Sequence, residues 1–498
     1  MATTISARCR FGPQAKPNII AKTVKMAVII LCILGFSNRP ALAKQESSLR
    51  GPVQSLVQEY QDPQVSLGLW IEDLGTGEKI FSQNPDLPLI PASNQKLLLI
   101  LLALKELGPQ YRFSTRFLGP AADGAGQLSS LTLQGGGDPT LSTMDLWQMA
   151  AALKARGIRR VAGLYLDDSL FPMGDFPGQL HNNQVDAAFN APVGALAVDQ
   201  NLITLIVSPG AKTGAPAHLE LDPPLPGFPL ENQSRTEGKK PKLLIRNLRE
   251  TPEDERLLIR GSIPAGAGPQ VFHLAQAQPR RMVARRLLQA LDQAGIQHPD
   301  TVEWLTTPAS GTLLLEHRSP PLEQILQLSG KESNNFVTEQ ILKTLAALKT
   351  ARPGTTEAGV VFLEKMVKQW GLFDAGIRME NASGLSRENR LTVHVLAEAL
   401  KRGWSDPLIR ENFLSALSVL GVDGTLKNKF FDKGLEGHFR GKTGTLSGVT
   451  SLAGIIIPKR NPKQGPLLLA VIANGNGKGF WRQLQFQQKL LELLIQTP

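Results

Sequence analysis

The chain has 498 residues, 42% hydrophobic and 19% charged, which excludes a disordered polymer and exceeds one ordinary core, so two or three domains are expected. Its formal net charge is +11, but six basic side chains and no acid fall within residues 1–43, leaving 48 basic against 43 acidic groups, or +5. That balance is not a nucleic-acid signature, and it favours an anionic polymer only weakly.

Residues 1–43 read as an export leader. Arg8, Arg10, Lys16, Lys22 and Lys25 are basic, Met26 to Phe36 is apolar, and Pro40-Ala41-Leu42-Ala43 supplies a small-x-small cleavage pattern before Lys44. The apolar run of about 11 residues is too short to span a bilayer comfortably. An uncleaved anchor, with peripheral membrane association, is the other reading. Cys9 and Cys32 both lie in this leader, so no disulfide, thiol catalysis or cysteine metal site is expected in the mature chain.

Residues 64–82 predict a hairpin around the turn-rich Asp73-Leu74-Gly75-Thr76-Gly77. A helix is expected from about Ser93 to Leu107, stopped by Gly108-Pro109. Gly135-Gly136-Gly137 follows a strand and reads as a sharp turn. A helix is expected over Leu146 to Arg156 and a strand over Val161 to Leu166. From about 203 to 275 Pro and Gly become frequent among short apolar runs, which suggests a small β-rich module; Gln233 to Lys242 reads as a charged, mobile loop within it. Met282 to Ala294 is helical in pattern. After about 308, helices are expected at 321–349, 357–370 and 392–403, then strands at 448–457 and 467–472 and a closing helix at 480–495. The seven histidines are scattered, and no pair has metal-ligand spacing; no metal and no cofactor is implied.

Chemistry enters at Ser93-Asn94-Gln95-Lys96. Residues three apart on a helix share a face, so Lys96 can reach the Ser93 hydroxyl. A buried lysine beside other cations loses its proton readily and then serves as a base. Alone, the pair could be a capping serine and a solvated lysine. Two further segments give it partners: Ser333-Asn334-Asn335 in a helical region, and Lys442-Thr443-Gly444-Thr445 immediately before a late strand. Ser333 can relay a proton to a leaving amine, and Asn335 can hold a peptide carbonyl. Lys442 supplies positive field; Thr443 and Thr445 offer hydroxyls to a carboxylate. A P-loop reading of Gly441-Lys442-Thr443 fails, because Glu436 stands where a glycine is needed and strand residues follow.

S-x-x-K, S-x-N and K-T-G in this order resemble the signature of penicillin-binding proteins and serine β-lactamases. Gly135–Leu141, Ala191–Leu196, Ser383–Arg387 and Gly421–Leu426 extend the resemblance to the D-alanyl-D-alanine carboxypeptidases/endopeptidases, the low-molecular-mass penicillin-binding proteins of the long-insertion (class C) type. The 240 positions from Ser93 to Ser333 fit that insertion. The resemblance implies an α/β (α+β) fold: a serine β-lactamase/transpeptidase-like catalytic domain, with an antiparallel sheet flanked by helices, interrupted by two smaller inserted domains. The expected division is 44–119 and 308–498 for the catalytic domain and 120–307 for the insertion. Within the insertion, 120–202 and 276–307 form an α/β part and 203–275 the β-rich part.

The resemblance also implies Ser93, Lys96, Ser333, Asn335 and Lys442 as catalytic residues and Thr443, Gly444 and Thr445 as substrate-binding ones. The oxyanion hole would be the N–H groups of Ser93 and Thr445. Peptidoglycan stem peptides and β-lactam antibiotics are the implied partners, in the bacterial periplasm at the cell wall. A β-lactamase or esterase with the same groups, or an inactive wall-binding scaffold, are the rival readings. The chain departs from the family at Asn381-Ala382, where Asp-Gly is frequent. Phe189 stands in a place similar to the one where the family commonly has a tryptophan or an aromatic hydroxyl, with Asp186 and Asn190 nearby.

Overall fold

The computed structural model describes residues 47–174, 187–249, 255–350, 353–374, 376–429, 434–459, 465–477 and 479–496. The expected leader, His181 and Asp186 lie outside them. Six antiparallel strands make the largest sheet, in the order Ser418–Val419, Phe439–Leu446, Val449–Ile456, Leu467–Asn474, Ser66–Asp73, Lys79–Gln83. Ser66 pairs with Asn474 and Asp73 with Leu467, so the two ends of the described chain close one sheet. Every residue of Val449–Ile456 is buried, as in a strand covered on both faces. Helices Phe480–Gln496 and Val393–Ser405 both pack against it.

The apolar run after Ser93 explains the centre of the molecule. Leu97 to Leu104 are all buried, and a helix apolar all round belongs in a core rather than on a surface. Helix Lys96–Glu106 therefore sits among helices Leu322–Gly330, Asn335–Lys349 and Val393–Ser405. Each buried leucine contributes about 1.5–3 kcal/mol relative to exposure.

A second sheet has five strands: Glu303–Trp304, Leu164–Asp167, Leu131–Gln134, Ser114–Gly119 and Thr312–Arg318. Ser114–Gly119 and Thr312–Arg318 pair with each other and stand just outside the expected 120–307 span. Helices Thr143–Ala155 and Pro279–Gln293 pack together beside it. Two three-stranded sheets follow: Leu230–Thr236 with Glu255–Ile263 and Lys242–Arg249, and Gln270–Ala275 with Leu202–Ser208 and His218–Asp222. Ile203, Leu205, Leu257 and Ile259 share their core.

Four local expectations are corrected. The helix expected over 321–349 is two, Leu322–Gly330 and Asn335–Lys349. Ser333 adopts φ +60 between them, and the Asn334 side chain accepts from Val337 N to start the second. The loop expected over Gln233 to Lys242 is confined to residues 237–241: Leu230–Thr236 is a strand paired in parallel with Glu255–Ile263, and Lys242 opens another. The inward side chains of Leu230–Thr236 are Ser234 and Thr236, so no apolar alternation marked that strand. Lys442-Thr443-Gly444 precedes strand Val449–Ile456 as expected, but it also lies inside a strand of its own, Phe439–Leu446, that was not expected. Ser93 belongs to a 3-10 turn, Ala92–Gln95, and the α-helix begins at Lys96.

Candidate active site

Ser93 stands in the turn where the chain enters the central helix. Ala92 has φ +47, a left-handed conformation that a non-glycine residue holds only when its surroundings enforce it. Two glycines allow that enforcement. A Cβ on Gly384, itself at φ +78, would meet Ala92 O at 1.9 Å. A Cβ on Gly444 would meet Ser451 Oγ at 2.2 Å and Pro91 O at 2.9 Å. In the amide orientation its neighbours require, the buried Asn94 donates to Lys442 O at 2.6 Å. The Ser93 turn is thus pressed between the Ser383–Arg387 loop and the Lys442 strand.

Lys96 is wholly buried. Its Nζ donates to Ser93 Oγ at 3.1 Å, Asn335 Oδ1 at 2.8 Å and Ser383 O at 2.6 Å. Burial pulls its pKa from 10.5 down to about 7, and the charge of Glu339 partly opposes that. The sequence reading named burial and neighbouring cations together; desolvation is the leading cause. Lys442 is also wholly buried. Burial first, then Lys96 and Lys429, push its pKa well below the ordinary value. Lys96, Lys442 and the half-buried Lys429 thus oppose one another's protonation.

The remaining expected residues fall as follows. Asn335 opens helix Asn335–Lys349 and faces Lys96 with its carbonyl oxygen. Ser333 lies in the left-handed turn before it, and among the described residues its hydroxyl has no hydrogen-bond partner. Thr443 donates to Thr425 Oγ1 at 2.8 Å. Thr445 is exposed. From Lys442 onward the outer edge of this strand has no strand neighbour among the described residues, since Ser418–Val419 pairs only with Gly441 and Arg440. An extended peptide can add there.

Glu339 is the residue that sequence reasoning missed. It lies one helical turn after Asn335, fully buried, and accepts from Ser383 N at 2.7 Å and Ala382 N at 3.1 Å. It thereby fixes the loop whose Ser383 carbonyl holds Lys96. Burial raises its pKa. The Ser383–Arg387 and Gly421–Leu426 segments were visible only as family-like stretches without a chemical task, and Asn381-Ala382 only as a departure. Asp423 of the Gly421–Leu426 segment pairs with Lys331 at 2.6 Å, and Thr425 supports Thr443. Phe189 is exposed, and its carbonyl lies 3.4 Å from Asn335 Nδ2.

The chain is similar to known proteins along most of its length. The chain is 30% identical over 489 residues to a D-alanyl-D-alanine carboxypeptidase of an Actinomadura species, covering 94% of this chain and 89% of that one. It is 24% identical to the D-alanyl-D-alanine carboxypeptidase DacB of Haemophilus influenzae, over 80% of this chain and 84% of that one. Penicillin binding protein 4 from Haemophilus influenzae shares the fold, with a TM-score of 0.76 at 22% identity across 89% of this chain and 99% of the other. A predatory peptidoglycan endopeptidase from Bdellovibrio bacteriovorus aligns with a TM-score of 0.52 at 16% identity, over 86% and 92% of the two chains. The D-Ala-D-Ala carboxypeptidase 3 (S13) family model matches residues 49–491, and the chain belongs to that family.

Proposed function

We propose that Ser93 is the nucleophile and Lys96 its base in a D-Ala-D-Ala carboxypeptidase reaction on peptidoglycan stem peptides. The family's serine-type DD-peptidase chemistry, carboxypeptidase or endopeptidase through an acyl-enzyme, is the chemistry of this chain. The observation that carries the assignment is a fully buried Lys96 amine, with a pKa near 7, 3.1 Å from Ser93 Oγ. Such a base is matched to neutral pH.

In the proposed cycle, neutral Lys96 takes the Ser93 proton and Ser93 Oγ bonds to the carbonyl carbon of the penultimate D-alanine. The N–H groups of Ser93 and Thr445 receive the oxyanion. The C–N bond then breaks, and Ser333 passes the proton from Lys96 to the departing D-alanine amine. Water hydrolyses the ester and restores Ser93. The substrate carboxylate docks by Lys442, Thr443 and Thr445, and its charge favours the protonated form of Lys442. Gly444 lets the strand approach the Ser93 turn. Asn335 orients Lys96 as well as the substrate.

β-Lactams acylate the same serine in this reading. The domain division is proposed as 44–119 with 308–498 for catalysis and 120–307 for the insertion, with strands Ser114–Gly119 and Thr312–Arg318, at the edges of the catalytic segments, completing the insertion's sheet. A periplasmic, bacterial location accords with the bacterial relatives. Digestion of purified muropeptide monomers and cross-linked dimers, read by mass spectrometry, tests the proposal. Loss of one D-alanine from monomers supports it; intact monomers with cleaved dimers would replace it with an endopeptidase.

A further inference from the structure

Asp199, Gln200 and Asn201 are three consecutive non-glycine residues with positive φ, at 52, 56 and 54°. Such a run persists only where contacts over-determine it. Asp199 accepts from Thr143 N at 2.9 Å and Thr143 Oγ1 at 2.5 Å, at the start of helix Thr143–Ala155. Asn201 donates to Pro192 O at 2.7 Å, and its own carbonyl accepts from Gln276 N at 3.0 Å. The buried Arg286 stands 3.8 Å from Asp199 and donates to the carbonyls of Pro223 and Pro224. The inserted layers therefore converge on this turn.

Only Gln200 points back to the catalytic side. Its Oε1 accepts from Asn334 Nδ2 at 2.8 Å. Asn334 is held at both ends of its amide, because its Oδ1 also caps helix Asn335–Lys349 at Val337 N. On either side of it stand Ser333, at φ +60, and Asn335, whose Oδ1 holds Lys96. We propose that Gln200 is a positioning residue through which the insertion clamps the Ser333–Asn335 turn in its productive conformation. The cap at Val337 N and the bond from Asn334 N to Leu328 O tie the turn to its own two helices; the bond to Gln200 adds an anchor for the Asn334 side chain in a separate layer. Rotation of the turn displaces the Ser333 hydroxyl and the Asn335 carbonyl together, and misplacement by about 1 Å can cost on the order of a hundredfold in rate. This rests on the acyl-serine reading above.

The test measures single-turnover acylation of the full chain by a fluorescent penicillin, with thermal melting alongside. Gln200→Leu keeps the volume and removes the acceptor. The expected result is about a tenfold loss in the acylation rate constant at saturation, with penicillin affinity changed less than about twofold. Gln200→Glu keeps an acceptor and is expected to stay within about threefold of wild type. Asn334→Ser retains the cap but cannot reach Gln200, so it should match Gln200→Leu, and the double variant should be no slower than either single. A merely structural role would lower the melting temperature and leave the rate constant of the folded fraction unchanged. Wild-type acylation in Gln200→Leu, or fully additive losses in the double variant, would overturn the clamp. Should Gln200→Leu not fold, Asn334→Ser decides alone: a tenfold loss supports the clamp and a wild-type rate refutes it. A wild-type protein that never acylates, like a Ser93→Ala control, overturns the underlying reading and the clamp with it.

Discussion

The sharpest prediction concerns the protonation of Lys96. Its pKa near 7 means that about a tenth of the amine is neutral at pH 6 and about nine tenths at pH 8. If neutral Lys96 is the base, acylation of Ser93 rises roughly tenfold over that interval and levels off above it. An exposed lysine would be well under about 1% neutral at pH 8, so burial alone is worth a gain of over a hundredfold there. The groups that face Lys96 are Glu339 from helix Asn335–Lys349 and Lys442 from its strand, with Lys429 behind Lys442. Glu339 raises the Lys96 pKa, so Glu339→Gln should lower it, moving the acid limb to lower pH by about one unit. The glutamine oxygen can still accept from Ala382 N and Ser383 N, which keeps the Ser383 carbonyl in place. Time-resolved penicillin labelling from pH 5 to 9 reads both curves. A wild-type midpoint above pH 9, or a limb that Glu339→Gln leaves unmoved or shifts upward, refutes the reasoning.

Three other outcomes are expected. Lys96→Arg keeps the charge but never deprotonates, so labelling should fall by about a thousandfold while circular dichroism stays native; labelling within tenfold of wild type would remove Lys96 from the base role. Gly384→Ala forces a Cβ into the Ala92 carbonyl at a positive-φ site and should cost about 3 kcal/mol of stability, read by urea denaturation, with acylation impaired even when folded. Thr443→Val strips the hydroxyl that meets Thr425; KM for a carboxylate-ended peptide should rise about tenfold with kcat nearly kept, and an unchanged KM would show that Thr443 does not bind the substrate.

Several features were readable because their causes are local. The leucine run after Lys96 has no polar face, so burial of that helix follows from composition. Ser93 and Lys96 can meet because they are three residues apart along one helical turn, and the packing around Ala92 holds that turn in place. The late strands were visible as continuous apolar runs, as expected of strands buried on both faces. The strand Leu230–Thr236 was missed because its inward positions carry serine and threonine, whose polarity hides the alternation. The break before Asn335 did leave marks, Gly330 as a stop signal and Ser333-Asn334 as an N-cap signal, but the apolar spacing continues across them and concealed the break.

Glu339 shows the deeper limit. In sequence it is one acid on an amphipathic helix, indistinguishable from a solvated one. Its importance depends on Ala382 and Ser383, more than forty positions away, presenting two N–H groups to it. The bond from Asn334 to Gln200 spans 134 positions and is equally silent. By itself, the sequence determined which reactive groups exist, their order, and the one contact that a three-residue spacing makes possible, Lys96 to Ser93. The tertiary structure alone decided how many protons that site can hold. A pKa follows from the solvent and charges removed or gathered around a group, and those come from segments that only folding brings together.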